Sequence, residues 1–487
     1  MKDCGPEVGQ SSGPCRVLIL GGGFGGIYTA LALQKLLRRR KDVDVTLLSR
    51  DNFFLFTPML HEVATSDLEI NTIISPLHKL LTRVATFVGN IEAIDLSAKS
   101  VRVSHGFDGH CHDLPFEHLV LALGASTNFF GLPGVEANAL PLRTINDAVA
   151  LRSRLISHLE GASSECAVNG RKPLLTFLVA GGGFAGVEAI GGINDFVRDA
   201  IRFYPALSEA DVRMVLVTPD ELILPELGPK LGAYAQRKLA SRGIEILTQA
   251  RVVGYQNGSV LLRDGRSVPA CTLVWTAGNT GNPLVASLPL PNRGGRLLVN
   301  DYLEVENAPG IWALGDCALV PNPLNKGFHP PTAQHALRQG RALARNLVAE
   351  IVGTKKRPFR FSTLGQLAPI GRRTGVANLL GMNFSGFIAW WLWRTIYLFK
   401  LPRLEKKVRA ALDWTLDLCF AKDFACVTES RMKVASSQSG IQETVAERQI
   451  VGASRDLASI ERGAPSAGIQ APTIEQGTNQ THSRGKF

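Results

Sequence analysis

This chain of 487 residues has no closely spaced cysteines, although it contains eight of them. They are scattered, and none forms a C-x-x-C pair: Cys4, Cys15, Cys111, Cys166, Cys271, Cys317, Cys419 and Cys426. Disulfide relays, structural zinc sites and iron–sulfur clusters need such pairs at short spacing. The sequence therefore predicts neither a dithiol relay nor a metal site.

Targeting and membrane-spanning segments are also lacking. The N-terminus has no basic flank followed by an apolar core, and the first apolar strand begins by residue 16. We therefore expect no secretory signal and no transit peptide. The most aromatic stretch, residues 384–401, is too short and is interrupted by Arg394 and Lys400, so it is not expected to span a bilayer.

The chain has an excess of positive charge. Its 53 Lys and Arg against 42 Asp and Glu give a net charge of +11, which admits nucleic acid or an anionic membrane as partner. Much of the excess falls in residues 38–41 and 394–409. In the second stretch the basic residues alternate with Trp and Phe at helical spacing, which favours a membrane interface over a stripe of phosphate contacts.

Two glycine loops of the dinucleotide-binding type are present. Each follows an apolar strand and precedes a helix-like stretch, and their spaced glycines are Gly21, Gly23 and Gly26 in the first loop, and Gly181, Gly183 and Gly186 in the second. In this context the glycines allow a tight turn, close approach of a pyrophosphate and close helix packing, while the helix N-terminus receives the negative charge. Two dinucleotides in one chain imply electron transfer between them.

A third segment identifies the first nucleotide. Residues 310–318 form a short apolar strand that ends in Gly315-Asp316, which resembles the late FAD motif of flavoprotein reductases with two dinucleotide-binding domains. By that resemblance Asp316 would bond the ribityl chain, a role compatible with a plain helix N-cap. Gly124 and Gly278 stand in two further matching segments, at the crossings between the domains.

The predicted fold class is α/β, with two Rossmann-like dinucleotide-binding domains. The nicotinamide domain is inserted in the FAD domain, and amphipathic membrane-associated helices follow at the C-terminal end. The predicted bounds are 15–140 for the first part of the FAD-binding domain, 141–285 for the NAD(H)-binding domain, 286–360 for the second part of the FAD-binding domain, 361–430 for the membrane-anchoring region and 431–487 for a disordered tail.

The membrane-anchoring region is predicted to hold two helices. Residues 384–401 are interpreted as an amphipathic helix in one leaflet, and residues 408–420 as a second helix. Basic residues after the first helix could meet anionic lipid: Arg403, Lys406, Lys407 and Arg409. A dimer interface or a core helix is the alternative interpretation of the Trp-rich stretch.

Taken in order, these motifs resemble type II NADH dehydrogenases, the single-subunit, membrane-peripheral NADH:quinone oxidoreductases. The resemblance covers residues 15–425 and rests most specifically on the Ala-Gln element within residues 330–340 and on the amphipathic C-terminal end. It implies that NADH reduces FAD, that FAD reduces a quinone and that no protons are pumped. It also implies a peripheral position on the cytoplasmic face of the inner membrane, and we expect a homodimer and no nucleic-acid partner.

The resemblance also implies roles for individual residues. Gln334 would sit where the quinone head meets the flavin, Gln339 would line the same tunnel, and Glu188 would lie near the nicotinamide. Glu188 could equally be a first-turn carboxylate that complements the helix dipole, and His335 is interpreted mainly as structural. The expected FAD contacts are Gly21, Gly23, Gly26, Ser49, Arg50, Thr57, Gly124, Asp316 and Ala333, and the expected NADH contacts are Gly181, Gly183, Gly186 and Gly278.

The chain departs from the family pattern where an acidic residue usually holds each adenosine ribose. Ser49 followed by Arg50 occupies the flavin-side position, and Thr218 occupies the nicotinamide-side position. Hydroxyls lack the charge-assisted strength of a carboxylate, so adenosine affinity could be lower unless nearby Asp51 and Glu221 substitute. NADH is still favoured over NADPH, because Asp220 and Glu221 would repel a 2′-phosphate.

Three alternatives stay open at this point. A sulfide:quinone oxidoreductase would need reactive cysteines near the flavin, for which Cys166 and Cys317 are the candidates. A soluble reductase of a ferredoxin or rubredoxin fits the loops but leaves the Trp-rich end unexplained. A nucleotide-sensing protein that binds DNA is the non-enzymatic alternative.

Overall fold

The computed structural model describes residues 13–106, 109–323, 327–420 and 422–425. The tail predicted over 431–487 lies outside the described residues. Everything below concerns the part that is described.

The first third of the chain builds most of a parallel sheet and two small antiparallel sheets. Its elements are β1 (Cys15–Leu20), α1 (Phe24–Leu36), β2 (Val43–Ser49), β3 (Phe53–Leu55), α2 (Leu60–Ala64), α3 (Ile70–Ile73), β4 (Ile74–Pro76), α4 (Leu77–Leu80), β5 (Ala85–Val88), β6 (Asn90–Asp95), β7 (Ser100–His105), β8 (His110–Pro115) and β9 (His118–Leu121). The antiparallel sheets are β3-β4 and β6-β7-β8.

The middle third builds a second parallel sheet. Its elements are β10 (Ala125–Thr127), α5 (Val135–Asn138), β11 (Ala139–Pro141), α6 (Ile145–Ser164), α7 (Val168–Leu174), β12 (Thr176–Ala180), α8 (Phe184–Ala200), β13 (Arg213–Val217), α9 (Gly228–Ala240), β14 (Ile244–Leu247), β15 (Val252–Gln256), β16 (Ser259–Leu262), β17 (Ser267–Pro269), β18 (Thr272–Trp275) and β19 (Asn279–Gly281).

The chain then returns to the first sheet and ends in a C-terminal layer. The remaining elements are α10 (Pro283–Ala286), β20 (Asn292–Arg293), β21 (Arg296–Leu298), β22 (Ile311–Ala313), β23 (Ala318–Leu319), β24 (Pro321–Asn322), β25 (Gly327–Phe328), α11 (Ala333–Val352), β26 (Gly365–Pro369), β27 (Gly375–Leu379), β28 (Met382–Gly386), α12 (Phe387–Lys400) and α13 (Leu404–Cys419).

The strand orders confirm the predicted fold class. The first sheet runs β22-β9-β1-β2-β5 and the second runs β11-β18-β12-β13-β14, and all pairs within both sheets are parallel. The central strands β1 and β12 are buried apolar runs, as parallel strands covered on both faces require. Because β22 joins the first sheet after the second sheet is complete, the second unit is inserted in the first.

The C-terminal layer differs from the predicted pair of helices. Residues 384–386, predicted as helix, belong to β28 of an antiparallel sheet β26-β27-β28, and α12 begins only at Phe387. The turn between β27 and β28 is a two-residue loop, Leu380-Gly381, in which both residues have positive φ, 50° and 83°. The second helix begins at Leu404 rather than at residue 408.

This sheet carries α12, and α13 lies beside α12. Gly375 makes the close seating possible, because a Cβ at this position would lie 2.9 Å from the Trp390 backbone nitrogen. Within the described residues, no helix has the length and apolar character needed to cross a bilayer.

Candidate functional site

The two glycine loops have nearly the same geometry. A Cβ added to Gly26 would lie 1.9 Å from the Gly21 carbonyl oxygen, and one added to Gly186 would lie 1.8 Å from that of Gly181. Gly21 and Gly181 both have positive φ, 111° and 120°. Each loop therefore depends on glycine at its turn and at its helix contact, as the dinucleotide motif requires.

Each loop also leaves room for a phosphate. A Cβ at Gly23 or at Gly183 would meet nothing within 4 Å, in contrast to the crowded first and third glycines. Gly23 and Gly183 are the N-caps of α1 and α8, and no side chain caps either helix. The free N–H groups and the open space fit the pyrophosphate of one dinucleotide at each loop.

A buried hydroxyl lies under each loop where an acidic residue is usual. A Cβ on Gly22 would lie 2.3 Å from Ser49 Oγ, and one on Gly182 would lie 2.6 Å from Thr218 Oγ1. Arg50, by contrast, points outward with its side chain 68% exposed, 3.7 Å from Asp51. The backbone N–H of Asp220 donates to Thr218 Oγ1 at 3.4 Å, which places this carboxylate beside the second loop.

The crossing between the two sheets is held by polar contacts. Strands β10 and β19 pair antiparallel, Gly124 precedes β10 with a φ of 69°, and Gly278 precedes β19. Arg143 donates to the Ala125 carbonyl at 2.8 Å, and Asn282 donates to the Leu123 carbonyl at 3.3 Å. These bonds fix the connection through which one dinucleotide site faces the other.

Asp316 lies in a one-turn 3-10 helix (Gly315–Cys317) against α11. Burial raises the pKa of this carboxyl, and the nearby Arg143 and Arg296 lower it. Ala333 begins α11, which has no side-chain cap, and Thr57 stands exposed at the start of another 3-10 turn (Thr57–Met59). These placements suit the expected FAD contacts, whose assignment stays a prediction.

The two glutamines assigned to the quinone point in different directions. Gln334 Nε2 donates to the Gly365 carbonyl at 3.2 Å, toward the C-terminal sheet. Gln339 is buried, and its Oε1 accepts from the Gly315 backbone N–H at 2.9 Å, on the Asp316 side of the helix. Five residues along a helix rotate a side chain by about 140°. Gln339 thus supports the Asp316 turn, and its quinone contact stays a prediction.

Glu188 lies in a cluster of buried acids that sequence reasoning missed. Its Oε2 is 3.6 Å from His61 Nδ1, and its side chain is only 14% exposed. Glu62, next to His61 on α2, is buried and accepts from the Trp414 indole Nε1 at 3.1 Å. The only sequence signal for Glu62 was one charged residue within the otherwise apolar segment 52–64.

Burial sets the protonation of this cluster. It raises the pKa of Glu62 to about 8, an increase that the Arg394 guanidinium opposes. Burial, with the neighbouring Glu62, raises the pKa of Glu188 well above its usual value. Burial also lowers the pKa of His61 to about 4. Burial therefore favours the uncharged forms of both carboxyls and of the imidazole.

An aromatic wall covers the cluster. Trp393 is fully buried, and its ring centroid lies 5.6 Å from that of His61 and 4.8 Å from that of Tyr397. Tyr397 in turn meets Phe56 edge to face at 6.1 Å. Helix α12 thus presents its inner face to the site and keeps water away from the acids.

The remaining candidates have structural surroundings. His335 is buried, with Nδ1 2.7 Å from Thr332 Oγ1, and burial lowers its pKa to about 4. The Cys317 thiol donates to the Leu121 carbonyl at 3.2 Å, and burial raises its pKa to about 11, so it is a poor nucleophile. Cys166 is exposed. No group of three or more metal-binding side chains converges among the described residues.

Comparison with known proteins fits this arrangement. A family model described as pyridine nucleotide-disulphide oxidoreductase matches residues 15–340, and one described as NDH2 C-terminal domain matches residues 364–423. A Mycobacterium tuberculosis protein described as type II NADH:quinone oxidoreductase Ndh is 30% identical over 461 residues, covering 91% of this chain and 97% of that protein. The chain belongs to the type II NADH:quinone oxidoreductase family.

Solved structures share the fold of this family member. An NDH2 from Plasmodium falciparum, determined in complex with NADH, has a TM-score of 0.78 at 20% sequence identity. The alignment covers 84% of this chain and 99% of the Plasmodium chain. The sulfide:quinone oxidoreductase of Aquifex aeolicus has a TM-score of 0.63 at 21% identity and covers 85% of this chain and 99% of its own. At these identities the likeness concerns the fold alone.

The different environments of the two glutamines generate a prediction. Gln339→Met removes the acceptor of the Gly315 N–H, and an unsatisfied buried donor costs about 1–3 kcal/mol. We expect a lower melting temperature and a lower flavin-to-protein absorbance ratio. The matched change Gln334→Met should leave both quantities near wild type and raise KM for quinone. Equal effects of the two substitutions on flavin content would contradict the assignment.

Proposed function

We propose that this chain is a FAD-dependent oxidoreductase that passes electrons from NADH to a membrane quinone without pumping protons. The observation that carries the proposal is the pair of matching dinucleotide cradles in one chain, joined at the β10–β19 crossing. When bound, FAD accepts a hydride from NADH and delivers two electrons to the quinone. Membership in the type II family supports the same assignment.

The residues proposed to hold the two dinucleotides divide between the sheets. Gly23 and the α1 N-terminus would hold the FAD pyrophosphate, with Asp316 and the α11 N-terminus on the far side of the cofactor. Gly183 and the α8 N-terminus would hold that of NADH. Asp220 lies beside the second loop, where its charge disfavours the extra phosphate of NADPH.

Glu188 is proposed as a proton donor for quinol formation. Reduction of a quinone to a quinol consumes two protons, and burial keeps the Glu188 carboxyl protonated. Glu62 directly follows His61 on α2, and its raised pKa allows it to hold a second proton. We propose that Gln334 contacts the quinone head and that these carboxyls supply protons to its oxygens.

The exposed faces of the last two helices support a membrane surface as partner. Each presents large apolar side chains at helical spacing: Phe387, Ile388, Trp391 and Phe399 on α12, and Leu404, Val408, Leu412 and Leu416 on α13. Basic residues flank them, among them Arg403 and Arg409. We further propose that the chain is a homodimer and works on the cytoplasmic face of the inner membrane. The domain bounds given above belong to the same proposal.

Anaerobic stopped-flow absorbance tests the function. Mixing the purified protein with NADH should bleach the oxidised-flavin band, and adding a short-chain quinone should restore it. Bleaching by sulfide but not by NADH would overturn the proposal, as would failure of every quinone to restore the band. Glu188→Gln should slow the quinone phase by about 10²- to 10⁴-fold and leave bleaching by NADH intact, whereas the exposed control Glu136→Gln should change neither phase.

The raised pKa of Glu62 predicts a pH dependence of stability. The folded protein holds this proton up to about pH 8, while the unfolded chain loses it near its ordinary value of 4.5. The contribution of Glu62 is therefore fully present below pH 4.5 and is lost as pH rises through about 8. Between pH 6 and 9, Glu62→Gln should show a smaller fall in unfolding free energy than wild type, measured by denaturant titration. Parallel profiles would show that Glu62 is ionised in the fold.

The outward faces of α12 and α13 predict membrane binding through apolar contact. The double variant Trp391→Glu, Leu412→Glu should stay at the bottom of a flotation gradient with neutral phosphatidylcholine vesicles, while wild type rises. Leu36→Glu, Val168→Glu, which adds the same charge at two other exposed apolar positions, should float like wild type. A double variant that floats normally but becomes monomeric by light scattering would assign this face to a dimer contact instead.

A further inference from the structure

A groove lined by five arginines runs along helix α11. One wall is α11, where three arginines share a face, and the other is the segment that follows this helix; the cavity between them has a volume of about 330 Å³. The arginines are Arg338, Arg341, Arg345, Arg357 and Arg360. Neither the dinucleotide sites nor the proposed quinone site uses this groove.

The groove is positively charged without compensation. Among the residues that the structure describes, no carboxylate forms an ion pair with any of the five. Arg341, Arg345, Arg357 and Arg360 are exposed, and Arg338 is half-buried. Like charges that line one groove repel one another, so an anion bound there would stabilise the arrangement.

The walls of the groove are rigid. Asn346 of α11 is buried and forms two hydrogen bonds with the backbone of Arg357, donating to its carbonyl and accepting from its N–H, both at 2.9 Å. Phe359 is buried, and its N–H donates to the Asp301 carbonyl at 2.7 Å. A groove held in place binds with less loss of conformational entropy than a flexible one.

Two of the arginines are oriented by aromatic rings. The Arg338 guanidinium lies 4.2 Å from the centroid of the Phe361 ring, and that of Arg341 lies 5.2 Å from the Tyr28 ring. Stacking fixes the plane of a guanidinium and leaves its edge N–H groups free for bidentate bonds. Planar forks of this kind match the oxygens of a phosphate group.

We propose that this arginine groove is a binding site for a phosphate group, carried by the headgroup of an anionic phospholipid. The position of the groove favours a lipid source, and this part of the proposal rests on the membrane association proposed above. Gln334, one helical turn before Arg338, donates to the carbonyl of Gly365 in β26, and α12 packs on this sheet. In addition, burial lowers the pKa of Lys400 at the C-terminal end of α12, and the charge of Arg338 lowers it further. A bilayer that met the outer face of α12 would place its phosphates at this end of the helix.

The site also lies next to the proposed quinone contact. Arg338 donates from Nη1 to the Gln334 carbonyl at 2.8 Å, one helical turn away. A lipid held in the groove would therefore sit beside the turn of α11 that carries Gln334. Occupancy of the groove would fix the protein on the surface with this turn facing the membrane.

The first arm of the test uses vesicles and the full-length protein with its FAD. A groove variant, Arg345→Ala, Arg357→Ala, Arg360→Ala, is compared with a control variant, Lys35→Ala, Arg38→Ala, Arg39→Ala, which removes the same charge from another exposed basic patch. Each cation near an anionic surface contributes roughly fivefold to binding. We expect the groove variant to lose at least tenfold of its preference for phosphatidylglycerol-containing over pure phosphatidylcholine vesicles, and the control variant to keep most of it.

The second arm uses inorganic pyrophosphate with the detergent-solubilised protein, saturated with NAD+ so that both dinucleotide cradles are occupied, and reads the melting temperature. Pyrophosphate should raise the melting temperature of wild type and leave that of the groove variant unchanged. This result supports a phosphate site even if wild type does not float with vesicles. Failure of the membrane proposal can therefore be distinguished from failure of the phosphate site. If pyrophosphate raises the melting temperature only in wild type, but the groove variant keeps its preference for phosphatidylglycerol-containing vesicles, the site binds a soluble phosphate and not a lipid.

Three results would overturn the proposal. Equal loss of vesicle preference in both triple variants would show general electrostatic attraction. Stabilisation by pyrophosphate that persists in the groove variant would place the anion elsewhere. No effect of the groove substitutions in either arm would remove the site altogether. Bleaching of the flavin by NADH should be unchanged in both variants, which verifies that they fold.

Discussion

The close approach of helix α8 to α2 and to the C-terminal sheet is the contact on which the site depends. Two adjacent glycines permit it: a Cβ on Gly191 would lie 2.9 Å from the Ile370 carbonyl carbon, and one on Gly192 would lie 3.1 Å from Thr65. With larger residues α8 would be pushed outward. Glu188, one turn earlier on α8, would then lose its contact with His61 and its cover by α12.

This close packing changes the ionisation of the buried acids. A carboxyl in a dry environment stays protonated because ionisation would leave a charge without solvent. Two carboxyls close together strengthen the effect, since the ionisation of one opposes that of the other. The fold accepts this cost at the place where we propose that quinol formation takes up protons. Trp414 donates to Glu62 and Trp393 covers His61, so α12 and α13 belong to the site as well as to the surface.

The same two helices therefore have two different faces. Their inner face is aromatic and carries Arg394, whose guanidinium lies 4.2 Å from the Trp390 ring and 4.7 Å from the Trp414 ring. Their outer face exposes large apolar side chains. One short helix, α12, therefore covers the acid cluster with its inner face and exposes apolar side chains on its outer face.

Residues close together in the sequence were sufficient to predict much of the structure of this protein. The strand–turn–helix context of both glycine loops, the Gly315-Asp316 turn and the interrupted aromatic stretch depend on residues close together in the chain. Backbone sterics and hydrophobic periodicity predict the two loops and the interrupted aromatic stretch, whereas the role of the Gly315-Asp316 turn and the inserted order of the two sheets were implied by the resemblance to flavoprotein reductases. Only the tertiary structure decided the rest. Burial and the charge of Glu62 raise the pKa of Glu188 because separate parts of the chain pack together. Gln339 turns away from Gln334 and accepts a hydrogen bond from the Gly315 N–H. The three-stranded C-terminal sheet and the arginine groove likewise arise from long-range packing, which no local pattern encodes.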